Sequence, residues 1–425
     1  MSQDRPSLRR AVAALQHRDY SLFYLGLVVA AVGSQLQQIA NIWQIYEMTN
    51  SPLHLGLTGL ARAIPVIGLS LMGGIIADRV NRRQVVLIAQ GVSGLTALAL
   101  AGLTYTGLID VWHIYATILV SGTLMALSAP ARSAIIPNLV PRHHLMNAIA
   151  LNATVWQIAN IVGPAVGGLL IAAIGLGATY LTNGAAHVVT LVALAMIHMG
   201  PLAVRQRQSA YRSLVEGLSF VRRNSVILAL LGTDAAATFF GHYRVLLPFV
   251  AANVGIGGPE GLGLLLAAPG VGSLLGAGAI MSLGDIRYKG LVAVTAILGY
   301  CVALVLLAIS PWFLLALLVS GALGLLDSLQ ATPRNTVIQA ITRDEVRGRV
   351  SSFQQMLTSG VPSLGQAYVG ALAAVIGPPL ALVTGAAACV AIVVGITARR
   401  PDLRARDLGS EPAPETEARG AAVSS

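Results

Sequence analysis

Four ionisable side chains lie within stretches of the chain that are otherwise apolar: Arg62, Asp234, Arg244 and Asp327. A charge is costly to bury in such a stretch, so it is usually found where it binds a partner or moves a proton. Because a carboxylate can take up and release a proton, we predict that role for Asp234 and Asp327. An arginine keeps its charge, so Arg62 and Arg244 are candidates for contacting a ligand, and for Arg244 the alternatives are an anionic cargo group and an outer gate.

Each carboxylate also has a structural interpretation. Thr233 and Asp234 follow Gly232, and such a triplet can cap a break in a helix. Arg334 follows Asp327 by seven residues, which places both on one face of a helix, two turns apart. A fixed ion pair between Asp327 and Arg334 is therefore the alternative to a proton-carrying Asp327.

A polar stripe runs along the first apolar stretch. Gln37, Asn41 and Gln44 recur at helical spacing, so their side chains share one face. The stripe can contact a substrate or hydrogen-bond to neighbouring helices, and the sequence leaves both interpretations open. Glu47, near the end of the same stretch, is a further candidate for carrying a proton, whereas we interpret His187 as a neutral core residue.

Composition indicates what surrounds these residues. Hydrophobic residues make up 55% of the chain and charged residues only 10%, with a mean hydropathy of +0.74. Soluble domains carry roughly 25% charged residues, so the composition is that of a multi-pass membrane protein embedded in a lipid bilayer. The net charge of +10 is spread over many short loops rather than one patch, which argues against nucleic-acid binding.

The apolar stretches resolve into twelve predicted spans of an all-α membrane protein. They lie near residues 20–48, 52–77, 84–107, 111–136, 147–174, 177–200, 225–253, 260–283, 290–309, 312–338, 350–376 and 378–398. Cys301 and Cys389 fall inside spans, which excludes a disulfide framework. We find no phosphate-binding loop, metal-ligand cluster or nucleophile elbow in the sequence, so we expect neither an enzyme nor a cofactor.

Basic residues predict the orientation. Of the 27 lysines and arginines, all but Arg62 and Arg244 lie at the termini or around the loops that follow even-numbered spans. Cytoplasmic loops carry such an excess, so both termini are predicted to be cytoplasmic. The predicted organisation is a leader at 1–19, a six-helix half at 20–200, a cytoplasmic linker at 201–224, a second half at 225–398 and a disordered tail at 399–425.

The two halves repeat one another. Aligning Arg132 with Arg334 also aligns Gly163 with Gly365, Gly168 with Gly370 and Gly175 with Gly377, without a gap. Asp78 has a looser counterpart in Asp285. Duplicated six-helix halves around a central site are the architecture of many secondary transporters.

The loop after the second span carries a recognisable motif. The stretch from Gly73 to Arg83 resembles the pattern Gly-x-x-x-Asp-Arg-x-Gly-Arg-Arg of the major facilitator superfamily, through Gly74, Asp78, Arg79, Arg82 and Arg83. Asn81 replaces the usual glycine, and both residues tolerate a left-handed turn. A plain positive-inside loop would explain the arginines but not the spacing of the glycine and the aspartate. The resemblance implies twelve helices in two pseudo-symmetric halves.

The fifth span carries a second motif. Gly163-Pro164, followed by Gly167-Gly168, resembles the Gly-Pro-x-x-Gly-Gly sequence of proton-coupled exporters in this superfamily, with Ala159 where that motif has a glycine. Ordinary helix packing is the alternative, because glycine and proline open a helix surface to close contact.

Further stretches narrow the resemblance to the branch that contains enterobactin exporters and related efflux proteins. They are Ala129–Arg132, Ile136–Pro141, Arg244–Pro248 and Arg347–Val350, together with Asp327, Arg334 and Gln339. The fourth span lacks, between His113 and Gly122, the arginine of many drug–proton antiporters, so their proton mechanism does not carry over whole.

The resemblance implies a transporter of the bacterial inner membrane that works by alternating access. The expected cargo is a small amphipathic organic molecule (a drug, a metabolite or a siderophore), exported in exchange for protons by a monomer. Uptake by the same fold and a non-transporting sensor or scaffold are the alternatives. In this family the first span lines the cavity, so Gln37, Asn41 and Gln44, with Arg62 and Arg244, are the predicted cavity residues.

A cytoplasmic gate is also implied. Arg132 and Arg334 occupy matching positions at the predicted inner ends of spans 4 and 10, beside the loops that carry Asp78 and Asp285. We predict that Asp78 contacts Arg132 when the transporter opens outward. A looser contact between Asp285 and Arg334 is expected in the other half.

Overall fold

The structure is a computed structural model that describes residues 13–77, 82–197, 218–284, 288–400 and 403. Those residues form α-helices and short turns, without a strand in the described ranges. The helices in chain order are α1 Arg18–Thr49, α2 Pro52–Ala77, α3 Arg82–Tyr105, α4 Val111–Ile135, α5 Leu145–Ala195, α6 Ser225–Phe240, α7 Leu247–Asn253, α8 Pro259–Leu283, α9 Lys289–Ala308, α10 Phe313–Ile341, α11 Asp344–Ile376 and α12 Pro378–Arg399.

The helices account for twelve crossings of a membrane. Within the described ranges, eleven helical stretches are long and apolar enough to span a bilayer. One of them holds α5, whose 51 residues reverse direction at Gly175 and therefore cross twice. The helices α6 and α7 together make the seventh crossing. The predicted all-α fold of twelve membrane helices is confirmed. The span predicted at 225–253 corresponds to Ser225–Asn253, and the structure adds an interruption between α6 and α7.

The predicted duplication is visible in the backbone. Gly175 has φ 83° and ψ 172°, and its counterpart Gly377 has φ 86° and ψ 155°. Both residues reverse the chain between two helices of their half. A positive φ strains a residue with a side chain but not glycine, which explains why both positions are glycine.

The two ends of the helix bundle differ in how their cores are connected. We call the end where α1 begins and α12 ends the terminal face, and the opposite end the distal face. At the distal face one continuous buried cluster draws residues from both halves. Toward the terminal face the buried residues separate into one cluster from residues 14–197 and another from residues 221–403.

Glycine pairs hold the halves together near the distal face. A Cβ atom added at Gly56 of α2 would lie 2.8 Å from the Cα atom of Gly370 in α11. A Cβ atom added at Gly168 of α5 would lie 2.9 Å from the Cα atom of Gly263 in α8. These backbones approach closely only because neither residue has a side chain. Tyr46 of α1 and Phe249 of α7 add an edge-to-face ring contact across the same interface, with centroids 5.0 Å apart.

Candidate functional site

The seventh crossing is broken near its middle. The helix α6 ends at Phe240, Gly241 caps it, and a 3-10 turn at Arg244–Leu246 leads into α7. The Tyr300 hydroxyl donates a hydrogen bond to the Gly241 carbonyl at 3.0 Å, which satisfies a backbone oxygen freed by the break. Broken membrane helices with backbone outside regular structure are a common way to build a binding site.

Local sequence explains where this break falls. A Cβ atom at Gly241 would lie 2.4 Å from the Ala237 carbonyl oxygen, so only glycine fits the cap. Pro248 occupies the first turn of α7, where its missing N–H costs nothing. The alternative break at Thr233 and Asp234 is not present, because α6 runs through both residues.

A buried ion pair joins α6 to α10. Arg334 of α10 contacts the carboxylate of Asp234 of α6, and the two residues are only 5% and 8% exposed. The alternative pairing of Arg334 with Asp327 is therefore wrong in this structure. Arg334 also donates at 3.4 Å to the side-chain oxygen of Asn335, which accepts a hydrogen bond from Gln354 of α11.

One amide connects the two carboxylates predicted to carry protons. The Gln330 nitrogen donates to Asp234 at 3.1 Å and to Asp327 at 3.2 Å. The Gln330 oxygen in turn accepts a hydrogen bond from Arg334 at 3.2 Å. Asp234, Asp327, Gln330 and Arg334 form one network, which we call the carboxylate network.

The members of the carboxylate network differ in access to solvent. Asp234 is buried, whereas Asp327 is exposed although it lies midway along α10. Asp327 also accepts a hydrogen bond from Gln330, whose amide donates as well to buried Asp234 of another crossing. These two observations place Asp327 toward the interior of the bundle rather than toward lipid.

Two arginines face the same region from different halves. Arg62 of α2 and Arg244 of the 3-10 turn are both partly buried, and the turn packs against α2. The packing of the turn against α2 therefore brings two positive charges into one region. His242 precedes Arg244 by two residues in the same segment. We call the region bounded by Arg62, Arg244 and Asp327 the central space.

The polar stripe on α1 does not border the central space. The Tyr180 hydroxyl of α5 lies 3.0 Å from the Asn41 side-chain oxygen and 2.8 Å from that of Gln44, and the Asn183 amide donates to Gln37. All three stripe residues are at most 8% exposed. The structure therefore corrects their placement in the cavity and favours hydrogen bonding between helices of the first half.

His187 belongs to the same layer of buried polar residues. Its ring nitrogen lies 2.6 Å from the Gln90 side-chain oxygen, and the residue is 4% exposed. This environment suits a neutral core histidine. Glu47 is exposed and accepts a hydrogen bond from the Trp43 ring nitrogen at 2.6 Å.

The glycine–proline motif of the fifth crossing forms two contact surfaces. Cβ atoms at Gly163 and Gly167 would lie 2.3 Å from Gln35 and 2.5 Å from Ile39, both on α1. Gly168 instead meets α8 of the other half, and the Pro164 carbonyl is the oxygen against which Gly263 of α8 packs. The motif thus fits helices from both halves against one segment.

The predicted gate residues are only partly within the described structure. Asp78, Arg79 and Asp285 lie outside the described residues, whereas Gly74 and Arg82 fall within α2 and α3. The predicted contacts Asp78–Arg132 and Asp285–Arg334 therefore stay predictions.

Two gate arginines have described contacts inside the first half. Arg83 donates hydrogen bonds to the carbonyls of Leu194 and Ala195, at 3.3 and 3.2 Å, near the end of α5. A basic group is favourable there because the end of a helix carries free carbonyls and partial negative charge. The Arg132 guanidinium lies over the Trp156 ring of α5, 5.9 Å from its centre.

Several functional candidates were not found from the sequence. Gln330 is three residues after Asp327 and four before Arg334, so helical spacing places all three on one face. That spacing is a signal that could have identified it. The break in the seventh crossing brings His242 and Tyr243 to the site, and the packing of α11 brings Gln354. No local sequence pattern predicts either arrangement.

The chain matches a protein-family model and named relatives along most of its length. The model described as transmembrane secretion effector, of the major facilitator superfamily, matches residues 9–420. The enterobactin exporter EntS of Shigella boydii serotype 18 (strain CDC 3083-94 / BS512) is 28% identical over 368 residues, covering 85% of this chain and 87% of the relative. EntS of Escherichia coli O81 (strain ED1a) matches with the same identity and coverage.

Solved structures share the fold at low sequence identity. A bacterial homologue of the human lysosomal transporter Spinster, inward-facing and unoccupied, superposes with a TM-score of 0.66 at 15% identity, covering 94% of this chain and 97% of that chain. The nucleoside transporter NupG gives 0.69 at 13% identity, covering 90% and 98%. Together with the family match, the twelve crossings and the duplicated halves, this places the chain in the transmembrane secretion effector family of major facilitator superfamily transporters.

Proposed function

We propose that the protein is a proton-coupled exporter of a small amphipathic organic compound (a drug, a metabolite or a siderophore) in the bacterial inner membrane. The family description and the named enterobactin exporters support export and cargo class. The observation that carries the proton coupling is the carboxylate network, in which exposed Asp327 is linked through Gln330 to the buried pair of Asp234 and Arg334.

The two ends of the bundle support alternating access. The joined core at the distal face and the separate cores toward the terminal face fit a transporter open to one side. The excess of basic residues assigns the terminal face to the cytoplasm. With that orientation, the separate cores would belong to an inward-facing state, in which cargo enters from the cytoplasm and the distal contacts must separate for release.

The carboxylate network offers groups that can bind a proton, and binding a proton there would change the contacts between helices. Asp327 faces the central space and is the first carboxylate that a proton meets. A proton on Asp327 turns one oxygen from an acceptor into a donor, which changes what Gln330 can bind. A proton on Asp234 removes the charge that compensates Arg334. Either change alters the link between α6 and α10 and so biases the balance between conformations.

Transport by reconstituted protein tests this coupling. Proteoliposomes under an imposed pH gradient would be assayed with enterobactin and ethidium as probes, alongside substrate exchange without a gradient. We expect Asp327→Asn to abolish gradient-driven transport and to leave exchange intact. The matched control is Asp110→Asn, since that carboxylate caps α4 at the distal face. Gradient-driven transport that survives both Asp327→Asn and Asp234→Asn would contradict proton coupling through this network, and uptake in place of export would contradict the direction.

Labelling of single cysteines tests the orientation. The loops that hold Leu108 and Ile256 lie at the distal face, and these side chains are 69% and 39% exposed. A membrane-impermeant thiol reagent added to intact cells is expected to label cysteines at both positions. Labelling only after the cells are broken would reverse the assignment of the two faces. Native Cys301 and Cys389 are buried and serve as the internal control.

A further inference from the structure

We propose that the central space holds the anionic group of an organic cargo, and that Arg62 and Arg244 bind that group from opposite halves. This inference rests on the proposed function, because it names the chemical class that such an exporter would carry. The expected ligand is an amphipathic compound with a carboxylate or another oxyanion at one end and an apolar, preferably aromatic, body.

The first support is the pairing of two like charges at mid-depth. Arg62 lies in the middle part of α2, and Arg244 follows the break of the seventh crossing. The 3-10 turn that carries Arg244 packs against α2, which brings the two like charges into one region, and neither arginine forms an ion pair with a carboxylate of the described residues. Arg334, by contrast, has Asp234 as its partner. Two neighbouring cations inside a membrane protein are costly unless an anion binds between them.

The second support is the chemistry of the guanidinium group. It presents several N–H donors in a planar fork that matches the two oxygens of a carboxylate. Because Arg62 belongs to the first half and Arg244 to the second, an anion held by both would also connect the halves.

The third support is an apolar surface beside the break. Phe239 and Phe240, the last residues of α6, pack against Tyr368 of α11 with ring centroids 5.1 and 5.4 Å apart. All three rings are only partly buried. Gly241 joins this aromatic cluster to the segment that carries Arg244, so one ligand can place its charged and apolar parts against adjacent surfaces.

Asp327 supports an alternative, in which the central space binds a cationic cargo. The Asp327 carboxylate is exposed and would attract a cationic cargo. The central space nevertheless has two positive side chains against one negative, and Gln330 already donates a hydrogen bond to Asp327. The balance of charge therefore favours an anion, and a cationic probe belongs in the test.

Binding to the purified full-length protein, without any gradient, provides the test. Fluorescence titrations would compare N-dansylglycine, which is anionic, with its uncharged amide and with the cation dansylcadaverine. We expect the anion to bind at least about tenfold more tightly than the amide, because a charge-assisted contact is lost with the amide. Arg62→Gln and Arg244→Gln should each remove most of that difference, and Arg62→Lys should restore part of it.

Controls separate this inference from the proposed function. Arg222→Gln, at an exposed arginine outside the central space, should leave the difference unchanged. Elution as a monodisperse peak would establish that each variant is folded. Binding of the amide or the cation as tight as that of the anion would overturn the inference. Loss of proton-driven transport with anion preference intact would overturn only the coupling.

Discussion

Asp234 and Arg334 form a buried ion pair between α6 and α10, and the amide of Gln330 ties that pair to Asp327. Removing one member of a buried pair leaves the other charge without compensation, which costs about 3–5 kcal/mol. We therefore expect Asp234→Asn to lower the thermal stability of the purified protein strongly. Asp327→Asn should have a much smaller effect, because Asp327 is exposed to the central space.

The double variant Asp234→Asn/Arg334→Gln is the matched control. With both charges gone, no unpaired ion remains, and much of the lost stability should return. The melting temperature in detergent, followed by size-exclusion chromatography, would be compared among the unaltered protein, Asp234→Asn, Asp327→Asn and the double variant. A double variant less stable than Asp234→Asn alone would show that the pair is not the source of the loss.

Closure of the distal face depends on the contact between Gly56 and Gly370. Gly56→Ala places a methyl group 2.8 Å from the Gly370 Cα atom, and neither backbone can move without shifting a helix. We expect the halves to separate more often at this face. Gly68→Ala is the control on the same helix, because a Cβ atom there would meet nothing within 4 Å.

Electron–electron distance measurements can detect that separation. Spin labels at Leu108 and Ile256 would report the distance between distal loops of the two halves. Gly56→Ala should increase the population at longer distance relative to unaltered protein and to Gly68→Ala. An unchanged distribution in Gly56→Ala would refute the role of this glycine pair in closure.

The polar stripe of α1 should be structural. Tyr180→Phe deprives the buried side-chain oxygens of Asn41 and Gln44 of a donor, which costs about 1–3 kcal/mol. We expect a lower melting temperature and an unchanged apparent affinity for cargo. Tyr105→Phe, at a residue 64% exposed, should change neither. An altered cargo affinity of Tyr180→Phe at unchanged stability would instead support the prediction that the stripe lines the cavity.

The two reversal glycines should respond alike to substitution. A Cβ atom at Gly175 or Gly377 would meet nothing within 4 Å, so only the positive φ opposes alanine. That conformation, with φ near 85° and ψ above 150°, costs a residue with a side chain about 1–3 kcal/mol. Gly175→Ala and Gly377→Ala should therefore lower stability by similar amounts. Gly278→Ala, equally unobstructed but inside α8, should not, and an equal loss there would contradict the conformational explanation.

The helices could be predicted because membrane spans are recognisable in a sequence by their length and apolar composition, and the duplication because the two halves align. The second span was predicted at 52–77, and α2 occupies Pro52–Ala77. Aligning Gly175 with Gly377 from the sequence predicted two residues with nearly the same backbone conformation. Both results depend on local sequence or on its repetition.

The site was less accessible from sequence, because a helical pattern tells which residues share a face but not which neighbour they meet. Gln37, Asn41 and Gln44 were placed on one face, yet only the packing of α5 against α1 shows that this face is buried. The break at Gly241 was missed for a similar reason. The constraint that requires glycine at Gly241 appears only in the folded chain, where a Cβ atom would meet the Ala237 carbonyl and Tyr300 of α9, whereas Gly232 looked like the better breaker.

The glycine contacts at the distal face carry an evolutionary consequence. The alignment that matches Asp78 with Asp285 also matches Gly56 with Gly263, and Gly168 matches Gly370. The two contacts, Gly56 with Gly370 and Gly263 with Gly168, are thus one contact made twice about a two-fold axis. A six-helix ancestor with a single copy of each glycine would form both by pairing with itself, as in any isologous dimer. A single fused chain allows the two copies of the site to differ, and here one half holds Arg62 and the other Asp234, Arg244 and Asp327.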